Sequence, residues 1–159
     1  MLTALSKDPN NHVKDTTTWT LGRIFEFLHR PTMETQIVTP SNCQHIITVL
    51  LQSMKDAPNL AEKAYGDLYF LAQGYEDCHQ SSPLTTYFQE IVWSLLTVTH
   101  REDSLECRLR TTSYERLNEV VRCLNDEISP MVLQFVPVIM LELHKTLGEQ
   151  KLSFNERQK

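Results

Sequence analysis

Val13-Lys14-Asp15-Thr16-Thr17-Thr18-Trp19-Thr20-Leu21-Gly22-Arg23-Ile24 decides the fold, because the pattern comes back twice. Laid over Leu60-Ala61-Glu62-Lys63-Ala64-Tyr65-Gly66-Asp67-Leu68-Tyr69-Phe70-Leu71 and over Leu109-Arg110-Thr111-Thr112-Ser113-Tyr114-Glu115-Arg116-Leu117-Asn118-Glu119-Val120, its apolar positions coincide. Val13, Leu60 and Leu109 align, then Leu21, Leu68 and Leu117, then Ile24, Leu71 and Val120, and Thr17, Ala64 and Ser113 put a small residue in one place. The offsets, from 13 to 60 and from 60 to 109, are 47 and 49 residues. That is too long for a coiled coil and slightly above the ~40–47 of repeats built from antiparallel helix pairs.

A second series lies between these segments at nearly the same period. Ile46-Ile47, Ile91-Val92 and Ile139-Met140 align, and each is followed by Leu50-Leu51, Leu95-Leu96 or Leu143-His144. Each repeat therefore holds two helices, A and B, each with an apolar stripe. One such pair cannot bury both faces, so stacking on its neighbours must supply the core.

Turn residues fix the order. Residues 1–6 read as the end of an A helix. The first B helix runs from about His12 to His29, stopped by Pro31, because the residue before a proline is pushed away from helical geometry. A linker over Pro31–Ser41 precedes the second A helix, about Asn42 to Lys55. The second B helix runs to about Tyr75, with Asn59 as its expected cap. After a polar loop, the third pair spans about Leu84–Thr99 and Leu105–Asn125. Pro130 suits the first turn of a last A helix, which Pro137 should kink or restart. The sections are thus a partial repeat over 1–30, repeats over 42–75 and 84–125, a half repeat over 129–148 and a polar tail over 149–159. The expectation is a single elongated segment that begins and ends in mid-repeat, whose exposed apolar ends favour self-association.

Composition narrows the function. A net charge of −5 argues against nucleic acid and against an anionic membrane surface, since both reward a positive field. No run of about 18 apolar residues could cross a bilayer, and the start has no signal-peptide character. Cys43, Cys78, Cys107 and Cys123 are too far apart for a zinc knuckle or a redox pair and read as reduced thiols. No catalytic constellation stands out. A helical hydrolase using Cys78 and His79 is the one enzymatic alternative, and the same pair would need distant help to bind metal. No cofactor is called for.

In a repeat stack, function falls to the helix faces left over after packing. At 100° per residue from Val13, the stripe Val13, Thr17, Leu21, Ile24 and Leu28 centres near ~40°, and Trp19 falls at ~240°, almost opposite. Trp19 should then share a polar face with Asp15, Gly22, Arg23 and Glu26. The equivalent face carries Glu62, Gly66, Tyr69, Phe70 and Gln73 on the second B helix, and Thr111, Glu115, Asn118, Glu119 and Arg122 on the third. Carboxylates and amides interleaved with aromatic rings can hold the cationic groups of a basic peptide through charge-assisted hydrogen bonds and cation–π contacts. The competing reading covers Trp19 with a neighbouring repeat, as peripheral core. Tyr65 and Tyr114, at ~140° on the same wheel, should pack against a neighbour.

A turn aspartate followed by an aliphatic residue and a base (Asp8 with Val13-Lys14, Asp103 with Leu109-Arg110) resembles HEAT repeats. The stretch from Lys7 to Ile24, with Leu71-Ala72-Gln73-Gly74-Tyr75-Glu76-Asp77, Arg108-Leu109-Arg110-Thr111 and Asn118-Glu119-Val120-Val121, is similar to the importin beta (karyopherin-beta) family of nuclear import receptors, especially its plant members. The likeness covers essentially the whole chain and points to the family's central repeats. It implies an all-α fold, a right-handed α-solenoid of about three helix pairs with half-repeats at the ends. It also implies a concave B-helix face that binds the basic importin-beta-binding segment of importin alpha, or basic cargo. The partner-binding residues would be Asp15, Trp19, Arg23, Glu26, Glu62, Tyr69, Gln73, Glu115, Asn118 and Glu119. Ran GTPase and phenylalanine-glycine nucleoporins would act on the full-length receptor, in cytoplasm and nucleus. A HEAT scaffold without a transport role is the alternative. The chain departs from the family where relatives often carry alanine and it holds Thr18, Tyr65, Asp67, Ser113 and Arg116. Asp67 should reach the edge of the core, where an unpaired carboxylate is costly, and Ala61 interrupts the series of bases at Lys14 and Arg110.

Overall fold

The computed structural model describes residues 1–28, 37–76, 82–104, 109–123 and 128–156, and all regular structure among them is helical. The helices are α1 (Leu2–Lys7), α2 (Asn11–Leu28), α3 (Pro40–Ser53), α4 (Pro58–Gln73), α5 (Phe88–Val98), α6 (Leu109–Cys123) and α7 (Ser129–Glu156), with 3-10 turns at Pro83–Tyr87 and Glu102–Ser104. The chain divides into two compact units, Met1–Asn125 and Asp126–Lys159.

Local chemistry sets the helix ends. α3 starts at Pro40, where the backbone N–H of Thr39 donates to Oδ1 of Asn42 at 2.8 Å. α4 corrects the expected cap: Ala57, not Asn59, is the N-cap, and Pro58 takes the first helical position. The pyrrolidine ring presets the helical φ there and gives up an N–H that would have had no partner. The third A helix opens as the 3-10 turn Pro83–Tyr87, with Ser82 Oγ accepting from the Leu84 N–H, before it relaxes into α5.

Three helix pairs, α1/α2, α3/α4 and α5/α6, build the first unit, and α4 packs side by side with both α2 and α6. Leu50, Met54, Leu68, Leu71, Leu84, Ile91, Leu95 and Val120 form its buried core with Leu5 and Phe25. This is the all-α solenoid architecture that the period of the sequence demands. One stripe is displaced. On α2 the buried residues are Thr18, Leu21, Gly22 and Phe25, whereas Val13 and Leu28, expected in the core, are 38% and 48% exposed. The buried arc is turned by roughly 90° from the expected one, at 100° per residue. Among the described helices α4 makes the most extensive packing with α2, and the buried arc faces it.

Polar hooks join consecutive pairs. Lys14 on α2 reaches Asp56, in the turn between α3 and α4, at 2.6 Å, and this ammonium holds the Asp56 carboxyl below the usual range. From the third pair, the Arg101 guanidinium donates to the carbonyls of Met54 (3.2 Å) and Asp56 (2.8 Å) while its other edge pairs with Asp103. Ala61, which replaces a base, is fully buried on α4. A hook from the next loop thus serves the same turn.

The second unit is α7. Pro137 lies inside it and does not mark its start, and the helix continues to Glu156 through most of the segment read as a polar tail. Met140 and His144, assigned to its apolar stripe, are exposed.

Replacing Arg101 with alanine removes the donors to two turn carbonyls. The expected loss of stability is roughly 1–3 kcal/mol, read from urea unfolding. Arg101→Lys, with its single ammonium, should recover only part of it.

Candidate functional site

The shared face of α2, α4 and α6 carries a groove of about 790 Å³. Its walls follow from the repeat offset. Asp15, Trp19, Gly22 and Arg23 come from α2, Glu62, Lys63, Gly66, Asp67 and Phe70 from α4, and Arg116 from α6. Small residues open it: a Cβ on Gly66 would meet nothing within 4 Å.

Trp19 stands at the edge of the groove, 57% exposed among the described residues, on the polar side where the wheel puts it. The Arg23 guanidinium lies 5.7 Å from its ring centre and 5.9 Å from that of Phe27. Asp15 is not free, because Lys63 reaches it at 2.5 Å from the neighbouring repeat. Arg23 also pairs with Glu26 at 2.5 Å, one turn along the helix. Tyr69 lies under the Arg116 guanidinium at 4.8 Å and against Phe70 at 5.2 Å. Glu119 pairs with Arg122 at 3.0 Å, and Arg122 also holds Glu76. Glu62, Gln73, Glu115 and Asn118 are exposed.

The groove therefore gathers Asp15, Trp19, Arg23 and Glu62 of the expected set, while Glu26, Tyr69, Gln73, Glu115, Asn118 and Glu119 are not among its lining residues. Sequence reading had not put Lys63, Asp67 or Arg116 there. For Lys63 a signal existed: it lies 48 positions beyond Asp15, next to Glu62, which the repeat aligns with Asp15, so opposite charges come close on adjacent B helices.

Asp67 is the anomaly of the site. It is 3% exposed, Oδ2 has no hydrogen-bond partner, and Oδ1 lies where a Cβ on Gly22 would come within 2.4 Å. The carboxyl thus fills the space that glycine leaves on α2. Burial raises its pKa from 3.8 to about 8, against the opposing field of Lys63. Gly22, assigned to the polar face beside Trp19, is instead buried here by helix–helix packing. Cys78 and His79 lie outside the described residues. Among those that are described, no cluster of three or more His, Cys, Asp or Glu could hold a metal ion, and no helix is long and apolar enough to cross a membrane. Cys43 and Cys123 are free and buried, and burial pushes the Cys123 thiol up to about 11.

Comparison with known proteins sharpens the picture. Residues 45–159 match the family model "Importin subunit beta-1-like, TPR repeats". The whole chain is 70% identical to Importin subunit beta-1 of Arabidopsis thaliana, covering 18% of that protein. It is 29% identical over 146 residues, 90% of its length, to Importin subunit beta-1 of Schizosaccharomyces pombe, covering 16% of it. The chain thus spans less than a fifth of the relatives it matches.

Two measurements check the Asp67 geometry. An unfolded aspartate loses its proton near 3.8, whereas the folded one keeps it to about 8. Between those values unfolding releases a proton, so this group makes stability fall as pH rises through the window and level off above it. Relative to wild type, Asp67→Asn should gain several kcal/mol of unfolding free energy between about pH 5 and about pH 8, at ~1.4 kcal/mol per pH unit as an upper bound. A second check is a double-mutant cycle. Gly22→Ala should be stabilising by about 1 kcal/mol in an Asp67→Ala background, through helix propensity. In wild type the buried carboxyl obstructs the new methyl, so the coupling should reach about 1 kcal/mol or more.

Proposed function

The chain belongs to the importin subunit beta-1-like family, and on that footing we propose that it is a segment of a nuclear import receptor whose α2–α4–α6 face takes up a lysine- and arginine-rich segment. The importin-beta-binding segment of importin alpha, or a basic cargo, is the partner such a face suits. The observation that carries the reading is the groove itself: about 790 Å³, with the exposed Trp19 ring at its edge and the Asp15 and Glu62 carboxylates on its walls. An aromatic face beside carboxylates attracts a guanidinium or ammonium through the ring quadrupole and through charge-assisted hydrogen bonds. It is a binding function and asks no chemistry of any side chain. Ran in its GTP form and phenylalanine-glycine nucleoporins belong to the full-length receptor, and movement between cytoplasm and nucleus follows from that role.

One observation favours a second reading, a scaffold without a transport role. Several carboxylates of this face already have internal cations: Asp15 has Lys63, Glu26 has Arg23 and Glu119 has Arg122. Such pairing lowers the outward field, and a scaffold would bind partners with little regard to their basic charge.

Titration of a fluorescent basic importin-alpha-type segment at low and high salt separates the two. The receptor reading expects affinity that falls steeply with salt and weakens roughly 3–30-fold in Trp19→Ala, the range of one cation–π contact. Folded, helical protein that shows no binding at low salt overturns it.

A further inference from the structure

Two carboxylates and one ammonium share the floor of the groove. Lys63 lies four residues before Asp67, on the same face of α4, yet its ammonium is committed at 2.5 Å to Asp15 on α2. Oδ2 of Asp67 is left buried with no hydrogen-bond partner, in a residue that nonetheless lines an open groove of about 790 Å³. A buried acceptor of this kind costs free energy until something donates to it. The cluster is one cation short.

We propose that the Asp15–Lys63–Asp67 cluster is a subsite for one lysine or arginine side chain of an incoming basic segment. The inference rests on the receptor reading above and adds to it a particular seat. The incoming cation pairs with one carboxylate and Lys63 with the other, so two positive groups then face two negative ones. Lys63, which is half-exposed and holds Asp15 at 2.5 Å, has Asp67 one turn along its own helix and can turn from one carboxylate to the other. The proton that Asp67 carries before binding leaves to solvent as its oxygens gain a cationic donor. Occupation of the seat is therefore linked to proton release.

Other charges face this floor. His12, Asp15 and Arg23 come from α2, Glu62 and Lys63 from α4 and Arg116 from α6. Arg23 is engaged with Glu26, and Arg116 lies over Tyr69. Among the charged groups, Lys63 is the one whose field acts on the Asp67 carboxyl. His12 is the one imidazole among the described residues that line the groove.

The experiment is calorimetric titration of a lysine- and arginine-rich peptide into the full chain at about pH 7.5, in buffers of different ionisation enthalpy, with wild type and Asp67→Asn compared. Wild type should release most of one proton per peptide bound, and the Asn variant none. Because a hydrogen bond to a charged group is involved, affinity of the variant should be lower by about 10–100-fold at pH ~8.5, and closer to wild type at pH ~6. Circular dichroism checks that the isosteric variant is folded, and if it were not, proton release by wild type alone would decide. Binding by wild type without proton release, or equal affinity and pH dependence in the two proteins, overturns the subsite while the receptor reading stands. Absence of binding by folded wild type overturns both.

Discussion

The close approach of α4 to its neighbours is the constraint from which the rest follows. Ala61, Ala64 and Ala72 are fully buried on it, alongside Leu60, Tyr65, Leu68 and Leu71. Methyl-sized side chains let a helix sit tightly between two lateral neighbours and a partner, and interiors packed to crystal-like density transmit any change of volume. α4 contacts α2, α3 and α6, so it is where three helix pairs become one packed unit. The groove arises because the same helix carries glycine at 66 on its outer side, between Glu62 and Phe70. The site is the unfilled remainder of a packing solution set by the alanine-rich buried face.

How far this could be read from the chain differs from element to element. Leu21, Leu68 and Leu117, aligned by the repeat, are all buried, because a central stripe position is covered by the partner within the pair whatever the lateral neighbours do. Trp19, on the far side of that stripe, is exposed. Val13 and Leu28 follow the repeat but not the core, because lateral packing against α4 rotates the covered arc and a periodicity argument on one helix holds no information about its neighbours. Asp67 was legible as a costly residue at the core edge. Its fit against Gly22 was not, since that needs the relative rotation of two helices 45 positions apart. The Arg101 hook was equally hidden: its acceptors are backbone carbonyls, which look alike in every sequence.

The candidate face also shows why a count of charges misleads. Reading the B helices gave a row of carboxylates open to a basic partner. The fold pairs several of them across or along helices, as Lys63 does with Asp15 and Arg122 with Glu76 and Glu119. Such exposed pairs contribute little to stability, typically ~0–1 kcal/mol, but they set which carboxylates a ligand meets unpaired. What distinguishes the groove is the placement of charge: cations held by their own neighbours, one aromatic ring uncovered and one acid without a counterion.

The interlock of Asp67 with Gly22 bears on how this sequence can change over time. With the aspartate at 67 placed as it is, a Cβ at 22 comes within 2.4 Å of the carboxyl oxygen and one of the two must shift, so the order of substitutions matters. A lineage acquires Asp67 at least cost while position 22 is glycine, and once it has done so, a side chain at 22 has to displace the carboxyl. Two positions in different repeats, neither of them on the exposed surface, thereby lose their independence and drift as one unit. Sequences that differ at one of these positions should then differ at the other more often than chance allows.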